Sequence, residues 1–244
     1  MTAKTETLEE LDHAVPSPFF EEEDEDAEEI YYFYDDENNF VKLRQRDMSG
    51  SGHELLKQYL MAVLSWLHRA EKCAVYGELN FYETDNPMET PLYPDIAVLK
   101  GQEWQYLTSY RLGVTGPAPE LVIEIISTKT RSMDLKRKPS RYQKWGTAEY
   151  FVYDPRPRRR KKGGLRLWGW RLNQAKTYET LEPLPDGRIW SEQLNCWLVP
   201  EKEFLRLYDR GSERLLTEVE ATQQRLKRLE EELRRLGGNP DQIS

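Results

Sequence analysis

Cysteine is nearly absent. Cys73 and Cys196 stand far apart, outside any CxxC pattern and away from a histidine cluster. Neither a disulfide framework nor a zinc site is therefore indicated. No stretch approaches the roughly 18 apolar residues of a membrane span. The N-terminus carries acids where a secretory signal would carry basic residues and an apolar core. These absences predict a cytoplasmic protein with no membrane association. A chain of 244 residues accommodates one α/β domain with appendages and is short for two full domains.

Basic residues are scarce only on average. The formal charge is −8, yet residues 1–40 hold fifteen Asp/Glu against Lys4 alone, which leaves +6 on residues 41–244. Between Lys129 and Lys162, thirteen Lys/Arg face only Asp134, Glu149 and Asp154. Such a stretch suits a phosphate-binding surface. A solvated face with a charged turn explains it equally well, and both readings stay open. Residues 1–40 have too few aliphatics to offset chain entropy, so an acidic, largely disordered segment is expected there, with Ile30 to Tyr34 as an aromatic patch able to dock.

The next segments carry periodic patterns. Leu55, Leu56, Leu60, Val63, Leu64 and Leu67 recur at helical spacing and predict an amphipathic helix over about 53–70. Strands are expected at Ala74–Tyr82, Asp95–Leu99, Leu121–Ile126 and Tyr150–Tyr153, bounded by turn residues. A helix at Pro139–Trp145, stopped by Gly146, falls between the last two and gives a strand, helix, strand order. Further strands follow at Leu165–Leu172, Lys176–Leu181 and Cys196–Val199. The fold class expected is α/β, a mixed sheet flanked by helices, with a domain over 41–210. Over 211–244, Leu215, Val219, Thr222, Leu226, Leu229, Leu233 and Leu236 alternate at four and three residues. That is a coiled-coil seam, which either joins two copies into a homodimer or folds back on its own domain.

Two acids stand out. Asp95 follows Pro94 at the start of a strand, and Glu124 lies inside the apolar run Leu121-Val122-Ile123-Glu124-Ile125-Ile126. A carboxylate in a buried strand costs several kcal/mol unless a cation or strong donors satisfy it. Hard oxygen ligands of this kind suit Mg²⁺ or Mn²⁺. Such an ion would polarise a phosphodiester, with a nearby lysine orienting water or stabilising developing charge. The competing reading makes Asp95 a turn cap and puts Glu124 on an exposed face or against an arginine.

The order Glu124, Ser127, Thr130, Asp134, Lys138, Tyr142, Gly146, Glu149-Tyr150 and Asp154-Pro155, preceded by Pro94-Asp95, carries a resemblance. Over roughly residues 50–236 the chain resembles the Uma-two restriction-endonuclease family of the PD-(D/E)XK nuclease superfamily. The resemblance implies a restriction-endonuclease-like fold and a Mg²⁺- or Mn²⁺-dependent endonuclease acting on DNA. It implies Asp95 and Glu124 as catalytic metal ligands and a lysine positioning the attacking water.

That lysine departs from the superfamily's usual place, two residues after the glutamate, where this chain has Ile126. The resemblance implies a migrated residue, Lys138. A lysine on an adjoining helix can reach the same point, because its stem is long and flexible. Pro139 directly after it places Lys138 at the helix entrance and leaves Lys136 and Lys129 as rivals. Glu54 and Glu78 are rival further acids. His53 reads as a packing or capping residue, Tyr142 as a packed ring, Asp154 as a turn former and the seven tryptophans as core. The alternative to an enzyme is a non-catalytic nuclease-fold protein, binding nucleic acid or assembling through its C-terminal helix. The fifteen N-terminal carboxylates could mimic phosphate over the basic stretch and autoinhibit it, or simply solubilise the chain.

Overall fold

The structure, a computed structural model, describes residues 52–84, 90–126, 131–155 and 166–237, together with the backbone of 30–34 and 40–44. A hairpin, β1 (Ile30–Tyr34) and β2 (Phe40–Arg44), pairs antiparallel and spans the boundary expected at residue 40. Most of the acidic segment, and the covering arrangement considered for it, lies outside the described residues, as do Lys129 and 156–165 of the basic stretch.

Helix α1 (Gly52–Leu67) forms where the leucine spacing placed it, and buries Leu56, Leu60, Val63 and Leu64 completely. Three short strands follow: β3 (Cys73–Tyr76), β4 (Phe81–Tyr82) and β5 (Ile96–Lys100). The single strand expected over 74–82 is thus two. Glu78 between them has φ +55°, a left-handed conformation that takes the chain off the sheet line. Next come β6 (Tyr110–Arg111) and β7 (Leu121–Ile125). A π-helical turn (Met133–Arg137) then runs into α2 (Lys138–Trp145). Gly146 ends α2 at φ +85°, the left-handed cap that glycine adopts without steric cost. The remaining strands are β8 (Glu149–Tyr153), β9 (Leu167–Leu172), β10 (Tyr178–Leu181), β11 (Ile189–Ser191), β12 (Cys196–Glu201) and β13 (Phe204–Tyr208). The chain closes on α3 (Glu218–Arg235).

The main sheet is mixed, with six strands in the order β10-β9-β8-β7-β5-β3. Neighbours are antiparallel except β7 and β8, which run parallel and are joined by the π-helical turn and α2. A parallel pair requires such a crossover, because no tight turn can return the chain to the same end of the sheet.

Alternation in β5 and β7 feeds two cores. Ile96, Val98, Leu121, Ile123 and Ile125 join α1 and the three-stranded sheet β11-β12-β13. Ala97, Leu99, Val122 and Ile126 face the opposite way, onto Tyr142 of α2, Tyr150 and Phe81. The second face is the one that carries Glu124.

Helix α3 begins with a capping box: Thr217 Oγ accepts from Glu220 N at 3.2 Å, and Glu220 Oε2 accepts from Thr217 N at 2.8 Å. Val219 is buried, whereas Leu226, Leu229 and Leu236 are 56%, 54% and 74% exposed. Among the described residues, the buried apolar side chain of α3 thus lies in its first turn. No helix among the described residues is long and apolar enough to cross a membrane.

Candidate active site

Strand register brings the two acids together. Ile96 pairs with Ile123 and Ala97 with Val122 across the antiparallel β5–β7 ladder. Continuing that register by one residue sets Asp95 opposite Glu124, on the same face, at the ~5 Å separation of cross-strand neighbours. Asp95 Oδ2 accepts from Ile125 N at 2.7 Å, which ties its carboxylate to β7. His53, at the start of α1, approaches the same oxygen at 3.4 Å while its Nε2 lies 3.1 Å from the Ile125 carbonyl. A carbonyl only accepts, so the imidazole donates there. His53 is therefore a neighbour of Asp95 as well as a residue of the helix start, and Asp95 raises its pKa through their hydrogen bond, against the lowering effect of burial.

Glu124 is buried, so the exposed-face reading of this acid is incorrect. Its close cation is Lys138, whose Nζ lies 2.8 Å from Oε1. Tyr142 Oη donates to the same Oε1 at 2.9 Å. Tyr142 thus does more than fill space. Burial is the main influence on Glu124: it pushes the carboxyl up to about 8, with Lys138 pulling it back and Asp95 and Asp134 adding to the rise.

Lys138 is the first residue of α2, but it is itself helical at φ −63° and ψ −37°, and the helical run begins at 131. Pro139 therefore does not make it the helix entrance: the π-helical turn leads straight through it. Its ammonium also sits 2.9 Å from Asp134 Oδ1. Burial disfavours the lysine's charge, but the carboxylates of Glu124 and Asp134 outweigh it and its pKa rises. Ile126 is buried under α2 on the face that Glu124 also occupies, so the strand position two after the glutamate is filled by packing. The amine arrives instead from the helix.

The rivals are placed differently. Lys136 is exposed, and Lys129, Ser127 and Thr130 lie outside the described residues. Glu54 and Glu78 close on a different cation, the buried Lys57: its Nζ is 2.6 Å from Glu54 Oε2 and also contacts Glu78 Oε1. Asp154 is a buried ion-pair partner of Arg131 at 2.6 Å rather than only a turn former. Trp104 is 63% exposed, contrary to its expected place in the core. Asp134 and Tyr142 are the site neighbours to which the sequence assigned no chemistry. Their offsets from Lys138, minus four and plus four, were the available signal.

A divalent cation fits this donor set. Each acid has one oxygen engaged by protein, Asp95 Oδ2 by Ile125 N and Glu124 Oε1 by Lys138 and Tyr142. These contacts among the described residues fall on Asp95 Oδ2 and Glu124 Oε1, so a cation would approach from the other oxygen of each acid. Among those residues no three His, Cys, Asp or Glu side chains gather at one point, so water and substrate oxygens would complete the shell.

A family model described as "Putative restriction endonuclease", Uma2, matches residues 42–198. Among solved structures, a crystal structure titled as a putative nuclease belonging to DUF820, from Anabaena variabilis ATCC 29413, is similar at 17% identity with a TM-score of 0.42, over 67% of this chain and 82% of that one. No curated protein matches the chain.

Proposed function

The chain belongs to the Uma2 restriction-endonuclease family, and from that premise we propose that it is a divalent-metal-dependent endonuclease hydrolysing DNA phosphodiester bonds at the Asp95–Glu124 pair. The observation that carries the reading is the juxtaposition of Glu124, buried in β7 across from Asp95, with an ammonium 2.8 Å away. In the reading, Asp95 and Glu124 hold Mg²⁺ or Mn²⁺. When bound, such an ion supplies Lewis acidity toward the phosphodiester.

The chain's own groups do the rest. Ile125 N fixes the Asp95 carboxylate and Tyr142 fixes that of Glu124, so neither acid need reorganise on binding. Lys138 acts as a charged donor beside Glu124, placing the attacking water and stabilising charge that develops on phosphate oxygens. The exposed Lys136 and Arg137, immediately before it, are set to meet neighbouring phosphates.

Supercoiled plasmid incubated with Mn²⁺ or Mg²⁺ tests this. Nicking or linearisation by the native protein, absent with Asp95→Ala or Glu124→Ala, is expected. A native protein that cuts neither DNA nor RNA under these conditions refutes the reading.

The reading includes a homodimer through α3. Its exposed leucines repeat at heptad spacing, with Arg225 and Glu230 flanking the seam at positions that oppose each other in a parallel pair. Light scattering should give a mass near twice 28.9 kDa. Leu226→Ser with Leu229→Ser should return it to a monomer, and a native monomer at high concentration rejects the dimer.

A further inference from the structure

We propose that Asp134 is a positioning residue of this site: its carboxylate, carried inward by the π-helical turn, holds the Lys138 ammonium against Glu124 and so sets where that amine meets substrate. The proposal rests on the endonuclease reading for its kinetic consequence, but the contact it describes can be tested without it.

A lysine amine sits at the end of four methylenes and has no preferred position of its own. One contact, with Glu124 Oε1 at 2.8 Å, would leave it an arc of positions; the second, with Asp134 Oδ1 at 2.9 Å, reduces the arc to a point between two carboxylates. Asp134 is 1% exposed. Burying a carboxylate is costly, and among the described residues Lys138 is its one ion-pair partner, so the acid and the amine need each other.

The backbone is built for this contact. Lys138 N donates to Met133 O, five residues back, which is the wide bond of a π-helical turn. Such turns need a reason, since they pack less well than an α-helical one, and here the turn is anchored from beneath: Tyr150 Oη of β8 donates to the Asp134 carbonyl at 2.8 Å. Backbone placement of residue 134 thus depends on Tyr150. Its side chain then meets the Lys138 ammonium.

The experiment compares the full-length native protein with Asp134→Ala and Asp134→Asn, the latter retaining an acceptor oxygen at the same place. Three quantities are read: plasmid-nicking kcat and KM, Mn²⁺ affinity by calorimetry, and acetic-anhydride labelling of Lys138 relative to exposed lysines by mass spectrometry. Asp134→Ala should lower kcat by about tenfold or more while KM and Mn²⁺ affinity stay within about twofold, and Lys138 should label several-fold faster. Asp134→Asn should recover part of both.

Unchanged kcat and labelling in Asp134→Ala overturn the proposal. Loss of Mn²⁺ binding also overturns it, by making Asp134 a ligand. An equal loss in both variants together with a lowered melting temperature reduces Asp134 to a fold residue. If the native protein cuts no nucleic acid, the endonuclease reading fails by itself, and the labelling alone then decides whether Asp134 holds Lys138.

Discussion

Two buried glutamates on adjacent strands have opposite fates. Glu149 on β8 is surrounded by donors: Arg171 Nε and Nη2 at 2.8 Å each, Ser191 Oγ, and the backbone N–H groups of Glu192 at 2.9 Å and Gln193 at 3.2 Å. Both of its oxygens are engaged, and it ties the main sheet to the β11–β12 turn. Glu124 on β7 has donors on one oxygen only, Lys138 and Tyr142. Burial alone therefore does not mark a functional acid. A saturated buried carboxylate is a brace, and one with its donors on a single oxygen is where the proposed cation would be accommodated.

The largest effect that would break this contrast is on activity. Glu124→Gln and Asp95→Asn should each lower metal-dependent DNA cleavage by about a thousandfold, the worth of several kcal/mol of transition-state stabilisation. Glu149→Gln should leave the turnover of the folded fraction unchanged. Stability should divide the other way. Glu149→Ala strands Arg171 and Ser191 and should cost about 3–5 kcal/mol in urea melts, whereas Glu124→Gln substitutes a neutral group for a carboxyl that burial already holds protonated and should leave the metal-free protein as stable or more so. Equal destabilisation by the two changes would erase the distinction.

Acidity sharpens the comparison further. With Glu124 pushed up to about 8, against about 4.3 for an unperturbed glutamate, the folded metal-free protein binds this proton more tightly than the unfolded chain does. The stability it contributes is full below the unfolded value and is lost as pH rises through the folded one. Melting temperature of the metal-free native protein should fall between roughly pH 5 and pH 8 by more than that of Glu124→Gln. A cation must displace the same proton, so apparent Mn²⁺ affinity should rise by about tenfold per pH unit below about 8 and level off above. A flat affinity profile across that range contradicts the assignment. The smallest effect expected is that of Tyr142→Phe, which deletes one donor to Glu124 and should cost about 1–3 kcal/mol, the higher end if no water replaces the hydroxyl.

The sequence exposed those parts of the molecule whose pattern is local. The leucine spacing located α1 to within three residues, and the aliphatic runs located β5, β7 and β8 to within one. Strand β13 went unread because Arg206 interrupts Phe204-Leu205-Arg206-Leu207-Tyr208; in the fold its guanidinium lies over the rings of Tyr59 and Phe204, 4.7 Å from each centroid, a contact no local pattern announces. The break before Glu78 had a local signal in Gly77, whereas the left-handed turn itself falls on Glu78, a residue type that does not announce it.

At the site, Glu124 was conspicuous as a charge in an apolar run. Its partnership with Asp95 depends on a register across thirty residues of chain, and the amine's route depends on a π-helical turn, which shifts side chains off the spacing used to read helices. Asp134 and Tyr142 were visible in order but not in role, since both duties arise only when α2 is laid on β7. Lys57 and Lys138 each sit between two carboxylates. The first is held by acids about half exposed, 45% and 47%, and the second by acids 2% exposed, so only the second amine is enclosed with Glu124.

The most direct test of the central claim is the anomalous map of a crystal soaked in Mn²⁺. One peak within about 2.3 Å of an oxygen of both Asp95 and Glu124, with Lys138 beside it, is the predicted result. A map with no peak there at saturating Mn²⁺, or with the ion held by Glu54 and Glu78 instead, contradicts it.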